Sequence, residues 1–349
     1  MPTSDRTSAD ERTEGKRPDP GRVTIAQVAH AARVSPTTVS HVLSGNRRVS
    51  AITAERVHQA VRELGYRPSF VARNLRTKRS HMIAVIVPDI MNPFYTALAR
   101  GLADTVNDAG YGTYICNTDA LVDREEKYLQ DVLDRGVDGV AMASEHVVTG
   151  QVAEPVRLGT PFVCIGGSID HPEVDVVAAD DEEGSRLATS YLIERGARRV
   201  AMIKGTVDSG VARTAGYRNA LLDAGLEFRE DLTLPGQWTR QGGRDAMREL
   251  LTRQPAPDAV FCANDLMAIG AMDVIRERGL SVPDDIALVG FDDIEAASLV
   301  TPPLTTVTNP AYDAGNAAGD LLLSRIGDER TGARRTVLLP CRLVERQSA

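Results

Sequence analysis

Few side chains in this chain of 349 residues suit redox or covalent chemistry. Its four cysteines, Cys116, Cys164, Cys262 and Cys341, lie far apart and mostly inside apolar, strand-like runs. That placement suits reduced, packed thiols and offers neither a disulfide framework nor a zinc site. The six histidines are scattered, three of them between residues 22 and 80. No run approaches the roughly eighteen consecutive apolar residues of a membrane span, and no apolar stretch follows the first charges as a signal peptide requires. The expected location is therefore cytoplasmic. The dinucleotide fingerprint G-x-G-x-x-G, the phosphate loop G-x-x-x-x-G-K-[ST], the nucleophile elbow G-x-S-x-G, H-E-x-x-H and paired C-x-x-C are all missing. These absences argue against an enzyme, and neither a cofactor nor a metal is expected.

Charge is present but unevenly placed. The formal net charge is −8, yet residues 22–80 carry 11 Lys and Arg against two acids, Glu55 and Glu63, a local balance of +9. Residues 81–349 carry 25 basic residues against 41 acidic ones. A cationic module on an acidic body can bind phosphate backbones while the body repels them. Residues 1–21 mix charge with Ser, Thr, Pro and Gly and have almost nothing to bury, which predicts a disordered tail.

Three short helical patterns follow between Val23 and Gly65. Thr24 and Gln27 form a capping-box pair before Val28 and Ala29, starting a helix that ends near Ala31 or Ala32. Ser35 is the next cap, Pro36 occupies the first helical position, and the helix runs to about Leu43 before Ser44-Gly45-Asn46. Val39, Val42 and Leu43 share one face, expected to pack on Val28 and Ala29, while Thr37 and His41 project from the other. A third helix, capped by Ser50 or Thr53, is expected to turn Ile52, Val57, Val61 and Leu64 inward and to end at Gly65. Two helices joined by a turn of about three residues, the second polar outside, form the helix-turn-helix arrangement that lodges a helix in the major groove. Within the basic connector SFVARNLRTKRS, residues 69–80, a helix from Ser69 to Leu75 would be about two turns long, too short to hold alone in water. Its Val71, Ala72 and Leu75, flanked by Arg73, Arg76, Lys78 and Arg79, could order against DNA as an apolar minor-groove wedge.

Beyond residue 81 short apolar runs alternate with helical ones: 82–89, 111–119, 137–144, 160–167, 199–205, 258–265 and 285–293. Such a rhythm predicts parallel sheets covered by helices, and some 270 residues favour two similar halves with a cleft between them. The ends of the strands, PDIMNPFY, CNTD, GGSID, CANDL and GFDD, are rich in hydrogen-bonding groups, and ligands of such sheets bind there.

The segment from VTIAQVAHAARVSPTTVSHVLSG through LGYRP and the hinge to IAVIVPDIMNPFY resembles the lactose-repressor (LacI/GalR) family of transcriptional regulators. REEKYLQDVLDRGVDGV, ARTAGYRNAL, FCANDLMAIGAM and ALVGFDDIEAASLVTPPLTTV extend the likeness over nearly all of the chain. The resemblance implies an all-α helix-turn-helix head at residues 22–66, a hinge at 67–80 and an α/β, two-lobed periplasmic-binding-protein-like body at 81–349. Parallel sheets and three crossovers would divide the body into one lobe of about 81–179 with 309–327 and a second of about 180–308 with 328–349. It also implies a homodimer, in some members a tetramer, on a near-palindromic double-stranded DNA operator, with a small-molecule effector as the other partner.

By motif position the resemblance places Pro36, Thr37 and His41 at base edges. Thr24, Thr38, Ser40, Ser44, Ser50 and Thr53 fall at phosphates, and Ala72 and Leu75 at the intercalating hinge. Family members commonly carry arginine where this chain has His41, and imidazole cannot grip guanine bidentately. Effector contacts map to Phe94, Tyr95, Arg213, Trp238, Asn264 and Asp292, with Asp89 added. Aromatic faces would stack on a sugar or a base, and Arg213 and Asp292 would meet hydroxyls. Gly166 stands where several sugar-responsive members place an aspartate. The reading is a repressor controlled by a sugar or related polar metabolite. A purine- or nucleoside-responsive corepressor-type regulator and, from another class, a solute-binding protein remain as alternatives.

Overall fold

The computed structural model describes residues 23–44, 47–66, 79–143, 149–167, 169, 171–206, 209–327 and 333–349. The expected tail at 1–21 and most of the hinge, including Ala72 and Leu75, lie outside the described residues. The chain divides into two compact units between Lys78 and Arg79.

In the first unit, helix α1 (Ile25–Ala32) starts at a complete capping box: Thr24 Oγ1 accepts the Gln27 N–H and the Gln27 side chain accepts the Thr24 N–H. Helix α2 (Pro36–Ser44) begins where Ser35 Oγ accepts the Thr38 N–H at 3.1 Å. Helix α3 (Ala51–Leu64) is capped by Ser50 and closed by Gly65 at φ 62°, a left-handed position that favours glycine. Val28, Ala29, Ala32, Val39, Val57 and Ala60 form the core, with Val42, Leu43 and Val61 against it. Two residues expected inward do not go there. Ile52 is 76% exposed, because at 100° per residue it points about 140° away from Val57. Leu64 is in phase with Val57 but sits at the rim beside Val23 and His30, 38% exposed.

The second unit holds two parallel sheets. The first has the order β11-β5-β4-β3-β1-β2, from β1 (Met82–Val87), β2 (Gly112–Asn117), β3 (Gly139–Ala143), β4 (Phe162–Ile165), β5 (Asp175–Ala179) and β11 (Thr336–Leu339). On β1 the side chains sort with period two. Ile83, Val85 and Val87 enter one core with α4 (Pro93–Asp108) and α12 (Ala311–Ile326), whereas Ala84 and Ile86 enter the other with α5 (Val122–Asp134). Burial on both faces is why β1, β3 and β4 read as unbroken apolar runs. Helices α4 and α12 cross at backbone contact: a Cβ on Gly101 would lie 2.1 Å from the Tyr312 carbonyl oxygen, and one on Gly315 2.1 Å from that of Leu98.

The second sheet has the order β7-β6-β8-β9, from β6 (Val200–Lys204), β7 (Thr233–Pro235), β8 (Ala259–Cys262) and β9 (Ala287–Val289). After α6 (Thr149–Arg157) on the first sheet, helices α7 (Asp181–Glu194), α8 (Ser209–Asp223), α9 (Arg240–Leu250) and α10 (Asp265–Glu277) cover the second, and a short α11 (Glu295–Leu299) follows β9. Strand β10 (Thr306–Thr308) bridges to β9 through Thr305 and Val289 and pairs antiparallel with β12 (Arg342–Val344). Strands β5, β7, β10, β11 and β12 are absent from the runs marked in the sequence.

Strand β11 corrects the lobe division. Residues 328–349 are not all in the second lobe, because β11 pairs with β5 in the first sheet and only β12 belongs with β10. The cause is Asp175, fully buried at the start of β5. Its carboxylate accepts from Arg325 Nη2 and Nε at 2.7 and 3.0 Å, from Arg335 Nη2 at 2.7 Å and from the Arg335 N–H at 2.9 Å. Burial works against ionisation there, but the two guanidinium groups outweigh it and hold the carboxyl below its usual range. The hinge boundary also moves: Arg79 Nη2 donates to the Ile326 carbonyl at 2.7 Å, and Asp138 accepts from the Ser80 and His81 N–H groups, so Arg79 and Ser80 belong to the body.

Candidate functional site

In the head, four of the six candidate phosphate-contacting residues lie at helix starts, whereas Ser40 is in the middle of α2 and Ser44 at its end. Thr24 caps α1, Thr38 Oγ1 lies 2.9 Å from the capping Ser35 Oγ on α2, and Ser50 Oγ donates to Thr53 Oγ1 at 2.9 Å on α3. Each start presents N–H groups and the positive end of a helix dipole, which suits a phosphate oxygen. Pro36 and Thr37 are exposed on α2, while Ser40 and His41 are partly buried. The side chain of Ser44 lies outside the described residues.

In the body, a cavity of about 70 Å³ opens between the two sheets, several times the ~10–15 Å³ one water needs. The first lobe contributes Asn92, Phe94, Tyr95, Ile165, Gly166 and Val177, and the second Asp181, Arg213, Trp238, Asn264 and Asp292, with Asn309 on a crossing segment. Asn92 caps α4 through the Phe94 N–H at 3.1 Å, and the Phe94 and Tyr95 rings meet edge to face at 5.1 Å.

Arg213, on α8, forms the floor. Its Nε donates to Asp181 Oδ1 at 2.8 Å and its Nη1 to the Ala263 carbonyl and, at 3.5 Å, to Asp292 Oδ1. The guanidinium carbon stands 3.7 Å from the centroid of Phe291 and 5.3 Å from that of Trp238. Nη2 has no hydrogen-bond partner among the described residues. Burial opposes the charge of Arg213, but Asp181 and Asp292 keep it firmly protonated.

Asp292 lies beyond β9 at φ 106° and also accepts from Asn309 Nδ2 at 3.0 Å. Loss of water pushes its carboxyl up to about 6, with Arg213 and Asn309 pulling the other way and Asp181 adding repulsion. Trp238, at φ 60°, donates from Nε1 to Thr206 Oγ1 at 3.1 Å, and its ring fills the space that a side chain at Gly205 would need, within 1.9 Å of a Cβ there. Asn264 fixes that corner: its Oδ1 caps α10 at the Met267 N–H and its Nδ2 donates to the Trp238 carbonyl at 3.0 Å.

Six of the seven effector candidates therefore line one cavity. Asp89 does not. It is exposed, and its carboxylate turns back to accept the Met91 N–H at 2.8 Å. Asn92, Asp181 and Asn309 line the cavity and were missed. Both asparagines precede a proline and read as turn or cap signals, and nothing in the acidic run DDEEG singles out Asp181.

A three-helix head with a helix-turn-helix pair and a two-lobed body with a polar cleft define a ligand-responsive DNA-binding regulator. The description "Bacterial regulatory proteins, lacI family" matches residues 24–69, and "Periplasmic binding protein-like domain" matches residues 189–349. The ribose operon repressor of Escherichia coli (strain K12) is 37% identical over 331 residues, 93% of this chain and 99% of that protein. Among solved structures, the lac repressor dimer bound to operator and the anti-inducer ONPF is 27% identical with a TM-score of 0.84, over 94% of this chain and 99% of that one. A regulator from Enterococcus faecium with bound ribose is 32% identical with a TM-score of 0.70, over 77% and 98%. The chain belongs to the lacI family. It is a ligand-responsive, DNA-binding transcriptional repressor of that type and not an enzyme.

Proposed function

We propose that the protein is a cytoplasmic, homodimeric repressor whose operator affinity is set by a neutral, polyhydroxylated small molecule of pentose type held in the cleft. The observation that carries this reading is the Arg213–Asp292 pair beside the Trp238 ring, in a cavity that Phe94 and Tyr95 also line. Arg213 Nη2 and Asp292 Oδ2 have no hydrogen-bond partner among the described residues, so a donor and an acceptor wait for vicinal hydroxyls beside aromatic faces. Among the described lining residues the charged groups are Asp181, Arg213 and Asp292, one more acid than base, which disfavours a phosphate ester. The relatives include a repressor named for ribose and a structure holding ribose.

Dimerisation is supported by an apolar patch around the edge strand β2, where Tyr114, Ile115, Leu121, Val122, Ile90 and Met91 are all 40% exposed or more. No described helix is long and apolar enough to cross a membrane, and operator DNA is reached in the cytoplasm. Pro36, Thr37 and His41 would read base edges. Thr24, Thr38, Ser40, Ser44, Ser50 and Thr53 would set register on phosphates, and Ala72 and Leu75 would open the minor groove. The effector would act by favouring one arrangement of the two lobes, and through the hinge one spacing of the paired heads.

The test is a thermal-shift and calorimetric panel on the full chain with D-ribose, hexopyranoses, nucleosides, purines and the corresponding sugar phosphates. A pentose at a hundred times its Kd should stabilise the body by about 2.7 kcal/mol, a rise of several degrees in Tm. It should also change affinity for a DNA site selected from a random library. Stabilisation by phosphates or purines alone counts against the proposal.

A further inference from the structure

Resting on the reading of the cleft as the effector site, the geometry points to Asp265 as a positioning residue: from outside the cavity it fixes the turn that carries Asp292 and ties that turn to an interlobe crossing strand. Asp265 is the first residue of α10, 1% exposed, and is not among the residues lining the cavity. Its N–H donates to the Phe291 carbonyl at 2.7 Å, and its Oδ2 accepts the Ile294 N–H at 2.9 Å. These two bonds bracket Asp292 and Asp293, which hold φ values of 106° and 54°. Consecutive non-glycine residues in that half of the map persist only where the surroundings fix them. The bracket supplies that constraint at both ends.

The third arm reaches another element. Asp265 Oδ1 accepts from Thr306 Oγ1 at 2.5 Å, on strand β10, where the chain returns to the first lobe. Asp292 itself donates its N–H to the Val307 carbonyl at 2.8 Å and accepts from Asn309. Gly290 is required for this packing, since a Cβ there would lie 2.2 Å from Asp265 Oδ1. One carboxyl thus joins the start of α10, the effector turn and the crossing strand.

The titratable groups around Asp292 are Asp181 from the start of α7, Arg213 from α8, Asp265 from α10, the buried thiol of Cys341 just before β12, held up to about 12 by burial, and Asp293, which is itself paired with Arg346 at 2.6 Å. Burial, with the neighbouring Asp292 next, holds the Asp265 carboxyl well above the usual range. Asparagine can therefore replace it, its oxygen accepting from Ile294 and its amide meeting Thr306, whereas alanine removes both arms.

The test reads the pH dependence of emission from Trp238, the single tryptophan, whose ring faces Arg213, in the full-length protein. The wild type is expected to show an inflection near 6 that Asp292→Asn removes. Asp265→Asn should keep it. Asp265→Ala should lower it by about one pH unit or more, because a freed turn lets water reach Asp292. If the alanine variant does not fold, Thr306→Val takes its place with the same direction expected. An inflection that stays near 6 in the variant lacking the arm, or a wild type without one, overturns the inference. Failure to bind D-ribose bears only on the proposed effector, because this experiment uses no ligand.

Discussion

Replacing Asp292 by asparagine should make the protein more stable while it stops responding to its effector. The carboxyl lies on the floor of the cleft, and loss of water lifts it from the ordinary 3.8 to about 6 in spite of Arg213 and Asn309. A lift of that size costs about 3 kcal/mol of stability when the group is ionised in both the folded and the unfolded chain. Asparagine keeps the oxygen that accepts from Asn309 and Arg213 and tolerates a positive φ, so it removes the buried charge with little change of shape. The sign follows from proton linkage. Between 3.8 and about 6 the folded wild type binds more protons than the unfolded chain, so its stability rises as pH falls through that window. The gain from Asp292→Asn is therefore full well above pH 6, about 1–3 kcal/mol, shrinks steadily through the window and vanishes only below 3.8. Urea unfolding of both proteins at pH 7.5, 6, 5 and 4.5, followed by Trp238 emission, measures it. A variant less stable than the wild type at pH 7.5, or a gain that does not shrink on acidification, refutes the reasoning.

Asp175→Ala should leave Arg325 and Arg335 facing an empty site, cost about 3–5 kcal/mol in denaturant titration and expose the β11 segment to protease. Gly205→Ala should drive the Trp238 ring out of its seat, seen as a shift of its emission maximum and at least a tenfold loss of effector affinity, about 1.4 kcal/mol; an unchanged spectrum disproves the contact. His41→Arg should favour guanine at one operator position by about 1–3 kcal/mol and leave the other positions alone, as read by gel shift on a panel of single-base variants. Ile115→Lys, on the exposed edge strand, should shift sedimentation towards the monomer and weaken operator binding at low protein concentration, leaving effector affinity intact.

What the sequence determined by itself is local or summed. The capping box at Thr24 and Gln27, the caps at Ser35 and Ser50 and the stop at Gly65 depend on residues three or four apart, and each stands where the spacing puts it. The apolar runs of β1, β3, β4, β6 and β8 are legible because burial on both faces writes itself into consecutive residues. The cationic stretch at 22–80 is a matter of counting. The six candidates that line the cavity came from a family pattern of motifs rather than from periodicity.

What only the tertiary structure decided depends on partners far apart in the chain. Ile52 was apolar and near a cap, yet it is 76% exposed among the described residues, on the side of α3 turned away from Val57. Strand β11 was sent to the first lobe by a buried carboxylate some 160 positions earlier. Asp89, at a strand end, was taken by its own turn, while Asp181 and Asn309 reached the cavity only because α7 and a crossing segment meet Arg213 and Asp292. Short-range spacing fixes backbone conformation because its hydrogen bonds close within one turn. Which polar groups share a cavity is set by how two sheets and three crossings pack, and no window of sequence contains that.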